Sequence, residues 1–532
     1  EAMKYNGKAA IAVDFCFKPS LLANTLLIVC KLYQKNILKA SSGILIRIAL
    51  IVPLFLFNSI LGYSQYETIP APIQSAYFEL LSLKLDQGNT SLERESIQHK
   101  NNPYFLLVNS YATTLYILLY EDQNFYQKNK NQYSQSIKIL SKQKHDEYWK
   151  KLIEAEIRFQ AGLVKMRFNE EVAASWEFKQ SYQIIQKLHQ ANPSLIPHKK
   201  LMGLFQIFLG SVPEKYNWIT RLFRIQGSIE HGQKYLEEVS QSNSIFSLEA
   251  TMLKAAADKF MLKNPLCVSC KLESTLNKQR DNYLLAYLYA SILVKEGNSD
   301  AAFQTLARFS QHQYIHFPLA YLLQGETMLY KGEYEKAQYY FLNFLKYTQG
   351  ENHVKDAYYK LFLTYWLTGD DKKAEMYLAK VLNSGQNTYD ADKYAYKFAL
   401  SKELPDENLM KARLNTDGGY LDKALEELRK YCFQKPEDSK DNIEFWYRKG
   451  RINQLKGQYK DAYFYYKKTI TLSEGKKHYF APNACLQLGY LYRDDNNIAE
   501  AKYYFIKAIS YQDHEYKNSI DNKAKAALSE LK

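Results

Sequence analysis

Between Glu444 and Leu472 the apolar and polar positions recur with a helical period, and the stretch EFWYRKGRINQLKGQYKDAYFYYKKTITL divides into two amphipathic helices closed by a tight turn. Gly450 and Ala462 are small where the two helices must approach, Trp446 and Tyr466 fill the flanking volume, and Gly457, just before Tyr459, permits the turn. A single hairpin of this kind cannot bury its apolar face alone, so the pattern demands neighbours. Downstream, ACLQLGYLYRDDNNIAEAKYYFIKAI puts Gly489, Tyr492, Ala501, Phe505 and Ala508 in matching places. Asn496 stands at the turn there, a residue that tolerates left-handed backbone. Upstream lie AYLLQGETMLYKGEYEKAQYYFLNFL, with Gly325, Gly332, Tyr334, Ala337 and Phe341, and AYYKLFLTYWLTGDDKKAEMYLAKVL, with Tyr358, Leu361, Tyr365, Gly369, Ala374 and Leu378. Weaker copies surround Gly297 and Ala302, and Gly419 and Ala424. The packing positions Ala302, Ala337, Ala374, Ala424, Ala462 and Ala501 are 35, 37, 50, 38 and 39 residues apart, which predicts an array with modest loop insertions.

These residues and spacings resemble the tetratricopeptide repeat (TPR), whose period is about 34 residues. The resemblance implies an all-α chain folded as an α-α superhelix, a TPR solenoid. In such arrays the first helix of each repeat lines the concave side, which places Tyr359, Leu363 and Trp366, then Tyr447 and Arg451, then Tyr490 and Arg493 along a binding groove. Arginine and aromatic side chains tend to carry binding energy. The carboxylate clamp of chaperone-binding members uses Lys and Asn where this chain has Tyr359, Tyr447 and Arg451, so a chaperone tail is not the expected ligand. The implied function is a non-enzymatic scaffold for a protein or peptide partner, with no cofactor.

Three domains are predicted: residues 1–64, an upstream extension plus signal peptide or membrane anchor; 66–240, degenerate helical hairpins with an apolar insert; and 241–532, the array. In the first, Lys31, Lys35, Lys39 and Arg47 flank the apolar run Ile48–Leu61, and Gly62 and Ser64 precede Gln65. Basic flank, apolar core and small residues are the layout of a secretory signal, so export with cleavage near Gln65 is expected. The long segment before it is unusual for a signal, which points to a mis-assigned start over residues 1–40. The alternative is an uncleaved anchor at 44–63, a stretch near bilayer length but interrupted by Arg47, Pro53 and Asn58. Both readings carry residues 66–532 across a membrane, into an envelope compartment if the host is bacterial.

From Pro70 to Leu195 the helical period persists while the repeat spacing degenerates, although Gly162, Ala174 and Phe178 reproduce the Gly-to-Ala interval of Gly450 and Ala462. Leu201–Leu236 breaks the period, and its run Leu201–Val212 is too short to span a bilayer, so a buried core helix is predicted. This insert, with the final segment HYFAPNACLQLGYLYRDDNNIAEAKYYFIKAISYQDHEYKNSIDNKAKAAL, resembles the mitochondrial inclusion-body-clearance family of TPR proteins. In that family a glycine-rich apolar insert precedes C-terminal repeats with a similar Tyr–x–Pro entry and a terminal helix. The resemblance spans roughly the C-terminal two thirds and implies architecture and an association with membranes, with no catalytic motif to transfer.

Composition refines this picture only in places. At 532 residues the chain exceeds one compact core, and its 21 glycines and 13 prolines are few beside 46 tyrosines, as an all-α solenoid requires. Of the net charge of +14, residues 1–64 hold +5; the rest is interspersed with acids as on solvated helix faces, so no nucleic-acid partner is expected. Cys267 and Cys270 lack further ligands for zinc; two unbonded helical or turn cysteines is the expected state, with a local disulfide as the alternative in an exported protein. His312 and His316 stand one helical turn apart, but Gln313 occupies the place of the glutamate of a zinc peptidase and Pro318 follows, so no metal site is predicted. Phosphate loops, dinucleotide fingerprints and nucleophile elbows do not occur in the sequence. The competing functional reading is a carbohydrate-binding or enzymatic pocket in 70–240, built on Trp149, Trp176 and Trp218, and it requires these rings to converge.

Overall fold

The computed structural model describes residues 69–99, 102–210, 227–261, 267–310, 316–401, 403–433 and 435–531. Every regular element among them is helical, as predicted. The signal or anchor segment 44–63 and Trp218 lie outside the described residues, and no described helix is long and apolar enough to cross a membrane. The described residues divide into two compact units, one within Phe15–Pro265 and one within Leu266–Lys532.

In the unit within Phe15–Pro265, helices Glu147–Arg167 and Glu171–Ala191 form an antiparallel hairpin of the repeat type. Ala174 is fully buried, the turn residue Asn169 has φ 59°, and the Phe178 ring lies so close over Gly162 that an added Cβ would come within 2.7 Å of it. The insert helix Lys199–Gly210 buries Leu201, Met202, Leu204, Phe205, Ile207 and Phe208, so its apolar run is core over its described length. It crosses helix Ile229–Ser240 at two glycines: a Cβ on Gly203 would sit 2.9 Å from the Gly232 carbonyl oxygen.

Lys200 enters the same core. Its Nζ donates to Glu156 at 2.7 Å, to Glu249 at 2.8 Å and to the Tyr111 hydroxyl at 2.9 Å, and it lies 4.3 Å from the centre of the Phe246 ring. Tyr77 donates to Glu249 at 2.7 Å. Lys200 and Glu156 are each 1% exposed, so this ion pair lies within the core. Burial pushes the Glu156 carboxyl up to about 7 although Lys200 pulls it down. Burial alone would depress the Lys200 ammonium, but Glu156 and Glu249 hold it above its usual range.

The unit within Leu266–Lys532 is a succession of hairpins: Tyr283–Lys295 with Ser299–Ser310, Pro318–Lys331 with Tyr334–Tyr347, Val354–Trp366 with Asp371–Asn383, Glu407–Gly418 with Leu421–Lys430, Lys440–Leu455 with Tyr459–Leu472, and Phe480–Asp494 with Ile498–Ser510. Helix Lys517–Glu530 packs on the last of them. Five of the six packing alanines are fully buried and Ala374 is 3% exposed. The same contact recurs in three hairpins: a glycine of the first helix lies under an aromatic ring sixteen residues later, as Gly325 under Phe341, Gly450 under Tyr466 and Gly489 under Phe505. Asn496 takes the turn conformation with φ 59° in place of glycine. The interval of 50 residues between Ala374 and Ala424 corrects one expectation, because it holds a further helix, Asp390–Ser401, packed on the Val354–Asn383 hairpin, rather than a loop.

The hairpins of this unit also touch out of sequence. Helix Glu407–Gly418 packs on Pro318–Lys331, and the turns at Gly297 and Gly419 meet so closely that a Cβ on Gly419 would overlap the Gly297 carbonyl. Asn415 donates to the Tyr330 carbonyl at 2.8 Å, and Tyr420 donates to Asp300 at 2.9 Å.

Candidate ligand-binding face

The predicted groove residues lie on the first helices of their hairpins, where the repeat spacing puts them, but in different surroundings. Tyr359 and Leu363, both buried, line one pocket together with Tyr330, Asp356, Lys360, Tyr394, Arg413 and Leu414. Trp366 is half-buried with its ring stacked on Phe362. Tyr447 is buried against Tyr479 and Phe480, and its hydroxyl accepts from Asn483 at 2.7 Å. Arg451, on the same helix, donates to the side-chain oxygens of Gln454 and Gln487. Tyr490 packs on Phe505, and Arg493 covers the Tyr490 ring while pairing with Asp494.

The pocket is small, about 40 Å³, which is room for roughly three waters or one small polar group. One wall is a closed ion cluster. Lys360 donates to Glu326 and to Asp356, and those carboxylates hold its ammonium above the usual range against the pull of burial. Burial and the Glu326 charge hold the Asp356 carboxyl above its usual range although Lys360 pulls it down. Behind it Asp392, from the inserted helix, accepts the backbone N–H of His353 at 2.9 Å and of Asp356 at 3.1 Å, so the insert caps the helix that carries the pocket. Burial and the neighbouring Asp356 push the Asp392 carboxyl up to about 7.

The other wall is open in its bonding. Arg413 donates to the Tyr394 hydroxyl at 3.3 Å, lies 5.8 Å from that ring's centre, and has Asp417 at 4.0 Å. Compare Arg448, which grips Glu444 at 2.7 and 3.0 Å and reaches the Tyr479 hydroxyl at 3.1 Å. A guanidinium has five N–H groups, and Arg413 uses few of them well. Burial alone would depress the Arg413 guanidinium, but Tyr394, Tyr479, Tyr516 and Asp417 hold it well above its usual range. On this wall Arg413, Arg448 and Arg451 stand against Glu444 and Asp417, three positive charges to two negative, while the Lys360 cluster on the other wall sets one positive against two negative.

Arg413 and Tyr394 are missing from the predicted groove, yet the signal for Arg413 was present. Leu363, Arg451 and Tyr490 each stand six residues before the turn residue, Gly369, Gly457 and Asn496, and Arg413 stands six before Gly419. The weak copy hid the register. Tyr394 belongs to the inserted helix and carries no repeat signal.

The other candidates separate. Trp149 is half-buried against Tyr104, whereas Trp176 is 56% exposed beside Lys179. They sit near the starts of two antiparallel helices, about 20 Å apart along the hairpin, and do not share a cleft. His312 lies outside the described residues, and His316 stacks on Tyr347 at 3.7 Å. Cys267 and Cys270 are joined in a disulfide, the alternative to the expected unbonded pair, because the first turn of helix Val268–Lys278 brings the two side chains together.

No protein-family model matches the chain, and no curated protein matches it. Among solved structures it is similar to yeast Tom70 (13% identity over 86% of this chain and 95% of that one, TM-score 0.28). It is similar also to the APC/C hetero-tetramer Cut9-Hcn1 (12%, 86% and 95%, TM-score 0.22) and to the human IFIT1 dimer with m7Gppp-AAAA (13%, 97% and 96%, TM-score 0.25). With superpositions this loose, the repeat assignment rests on the hairpin packing of the chain itself.

Proposed function

We propose that the chain is a non-enzymatic helical-repeat scaffold that binds a protein or peptide partner along the first helices of residues 266–532, with Arg413 receiving a carboxylate of that partner. The supporting observation is the loosely held Arg413 guanidinium at the edge of a pocket floored by tyrosines. A half-buried cation with one carboxylate at 4.0 Å has given up hydration without full replacement, and an incoming carboxylate supplies the missing bonds in bidentate form. Calorimetric titration of the full chain with an acidic peptide and with its Gln-substituted counterpart tests this. The neutral peptide is expected to bind at least tenfold more weakly, and Arg413→Ala is expected to remove the difference while leaving the thermal midpoint in place. Equal affinities for the two peptides overturn the reading.

The compartment belongs to the same proposal. The basic flank, the apolar run Ile48–Leu61 and the small residues Gly62 and Ser64 support export, into a complex of the cell envelope in a bacterial host, in keeping with the membrane association that the inclusion-body-clearance resemblance implies. N-terminal sequencing of the protein from its native host is expected to begin near Gln65. An intact 44–63 in the membrane fraction would establish an anchor instead, and an intact segment in the cytosol would remove both.

A further inference from the structure

The Cys267–Cys270 bridge is poorly placed to act as a staple. Cross-links stabilise chiefly by shortening the loops of the unfolded chain, and this one joins residues only three apart within a helical turn already fixed by its own hydrogen bonds. Its surroundings suit reaction better. Both cysteines are exposed. Cys267 is the N-cap of helix Val268–Lys278, and its Sγ accepts the backbone N–H of Cys270 at 3.3 Å. Negative charge on that sulfur would face the helix N-terminus, the arrangement that favours a thiolate. Across from it Glu296, just beyond the end of helix Tyr283–Lys295, accepts the Val268 N–H at 3.1 Å and the Ser269 hydroxyl. One of its oxygens, Oε2, stands 3.9 Å from Cys267 Sγ. An exposed disulfide, a helix terminus behind one sulfur and a carboxylate beside it occupy one place.

We propose that Cys267 and Cys270 form a reversible redox couple that exchanges two electrons with a thiol reductant of the dithiol or glutathione class, with Glu296 as the proton acceptor for the Cys267 thiol. In reduction, a thiolate of the reductant attacks Cys270 Sγ and forms a mixed disulfide. The Cys267–Cys270 bond breaks, and its electron pair leaves on Cys267, whose developing charge the Cys270 N–H and the helix terminus face before solvent protonates it. Cys267 takes a proton from solvent and donates the resulting S–H to Glu296. A second reductant thiolate attacks the reductant sulfur of the mixed disulfide, and Cys270 departs and is protonated. One protein disulfide becomes two thiols, and two reductant thiols become one disulfide. In oxidation the same path runs backwards: Glu296 takes the Cys267 proton as that sulfur attacks Cys270 in the mixed disulfide.

The carboxylate also sets a condition. Its charge stands against the Cys267 thiolate, so reduced Cys267 rests as a thiol until a mixed disulfide arrives. The experiment uses the full chain, equilibrated in buffers of stepped reduced-to-oxidised glutathione ratio, quenched with acid and read by peptide mass spectrometry at each cysteine. The pair is expected to pass from disulfide to dithiol across that series while circular dichroism stays native. In the fully reduced protein, Glu296→Gln is expected to move the pH midpoint of Cys267 alkylation downward and to raise its rate at pH 7 at least tenfold, since the Gln oxygen keeps the cap on Val268 without the charge. A bridge that resists a hundredfold excess of reduced glutathione until the chain unfolds would overturn the couple, as would a pair left as two thiols in oxidised glutathione. An unchanged alkylation profile in Glu296→Gln would overturn the role of the carboxylate.

Discussion

Each unit buries a lysine between two carboxylates, and the two clusters differ in what lies beside them. Lys200, in the unit within Phe15–Pro265, is enclosed by Glu156, Glu249, Tyr111 and Phe246, with Tyr77 completing the coordination of Glu249. Lys360, in the unit within Leu266–Lys532, is held as firmly by Glu326 and Asp356, yet it forms the wall of a pocket whose opposite side is the loosely bonded Arg413. The first cluster lies in the core and ties helices together; the second borders a pocket of about 40 Å³. A buried ion pair therefore reports on function only through its neighbours, since the pair itself is poor support for stability or for a site.

The comparison can be broken most directly at the lysines. Lys200→Met leaves Glu156 and Glu249 without their cation in the core and is expected to cost about 3–5 kcal/mol in chemical denaturation. Lys360→Met is expected to cost less, about 2–3 kcal/mol, because the adjoining pocket admits water to the stranded acids. Equal losses would show that the pocket does not relieve the second cluster.

Titration sharpens it next. The Asp392 carboxyl is raised to about 7 in the fold from an ordinary value of 3.8. A carboxyl raised on folding contributes stability below its unfolded value and loses that contribution as pH climbs through the folded one. The wild type is thus expected to lose stability relative to Asp392→Asn between about pH 4 and 7, by up to roughly 4 kcal/mol, in paired denaturation curves. A constant gap across that range would remove the assigned shift.

The smallest effects test the scaffold common to both units. Ala462→Leu forces extra methylenes into a helix contact with no exposed surface and is expected to cost about 1–3 kcal/mol. Lys460→Leu, two residues away on the exposed face, is expected to stay within about 0.5 kcal/mol. Similar thermal shifts for the two would mean that the register of the repeat is misplaced.

What could be read in the sequence was what repeats. The glycine-to-aromatic contact at Gly450 and Tyr466 is a matter of volume, so the residues that satisfy it recur visibly, even at Gly162 and Phe178 where the rest of the spacing has decayed. The helix Asp390–Ser401 could not be read this way, because it belongs to no repeat and appeared only as an interval too long. Single polar residues were the hardest. Lys200 reads as a polar entry to an apolar run, and nothing local reveals that Glu156 and Glu249 will meet it. The cysteine bond depended on where a helix begins, a boundary that composition leaves open.

The contacts between Gly297 and Gly419, and between Asn415 and Tyr330, have a further consequence. A string of hairpins that touch only their neighbours melts piecemeal, from whichever end or link is weakest. Here residues more than eighty apart in sequence are fastened, so the hairpins between them are enclosed in a clasp and cannot fray without opening it. The stretch from Tyr283 to Lys430 is therefore expected to unfold as one cooperative block, and to form more slowly than a ladder of the same length because so long a loop must close. The segments after Lys440 lie outside this clasp but are tied back to the block, since Glu515 faces Lys397 at 3.9 Å and Tyr479 and Tyr516 act on Arg413.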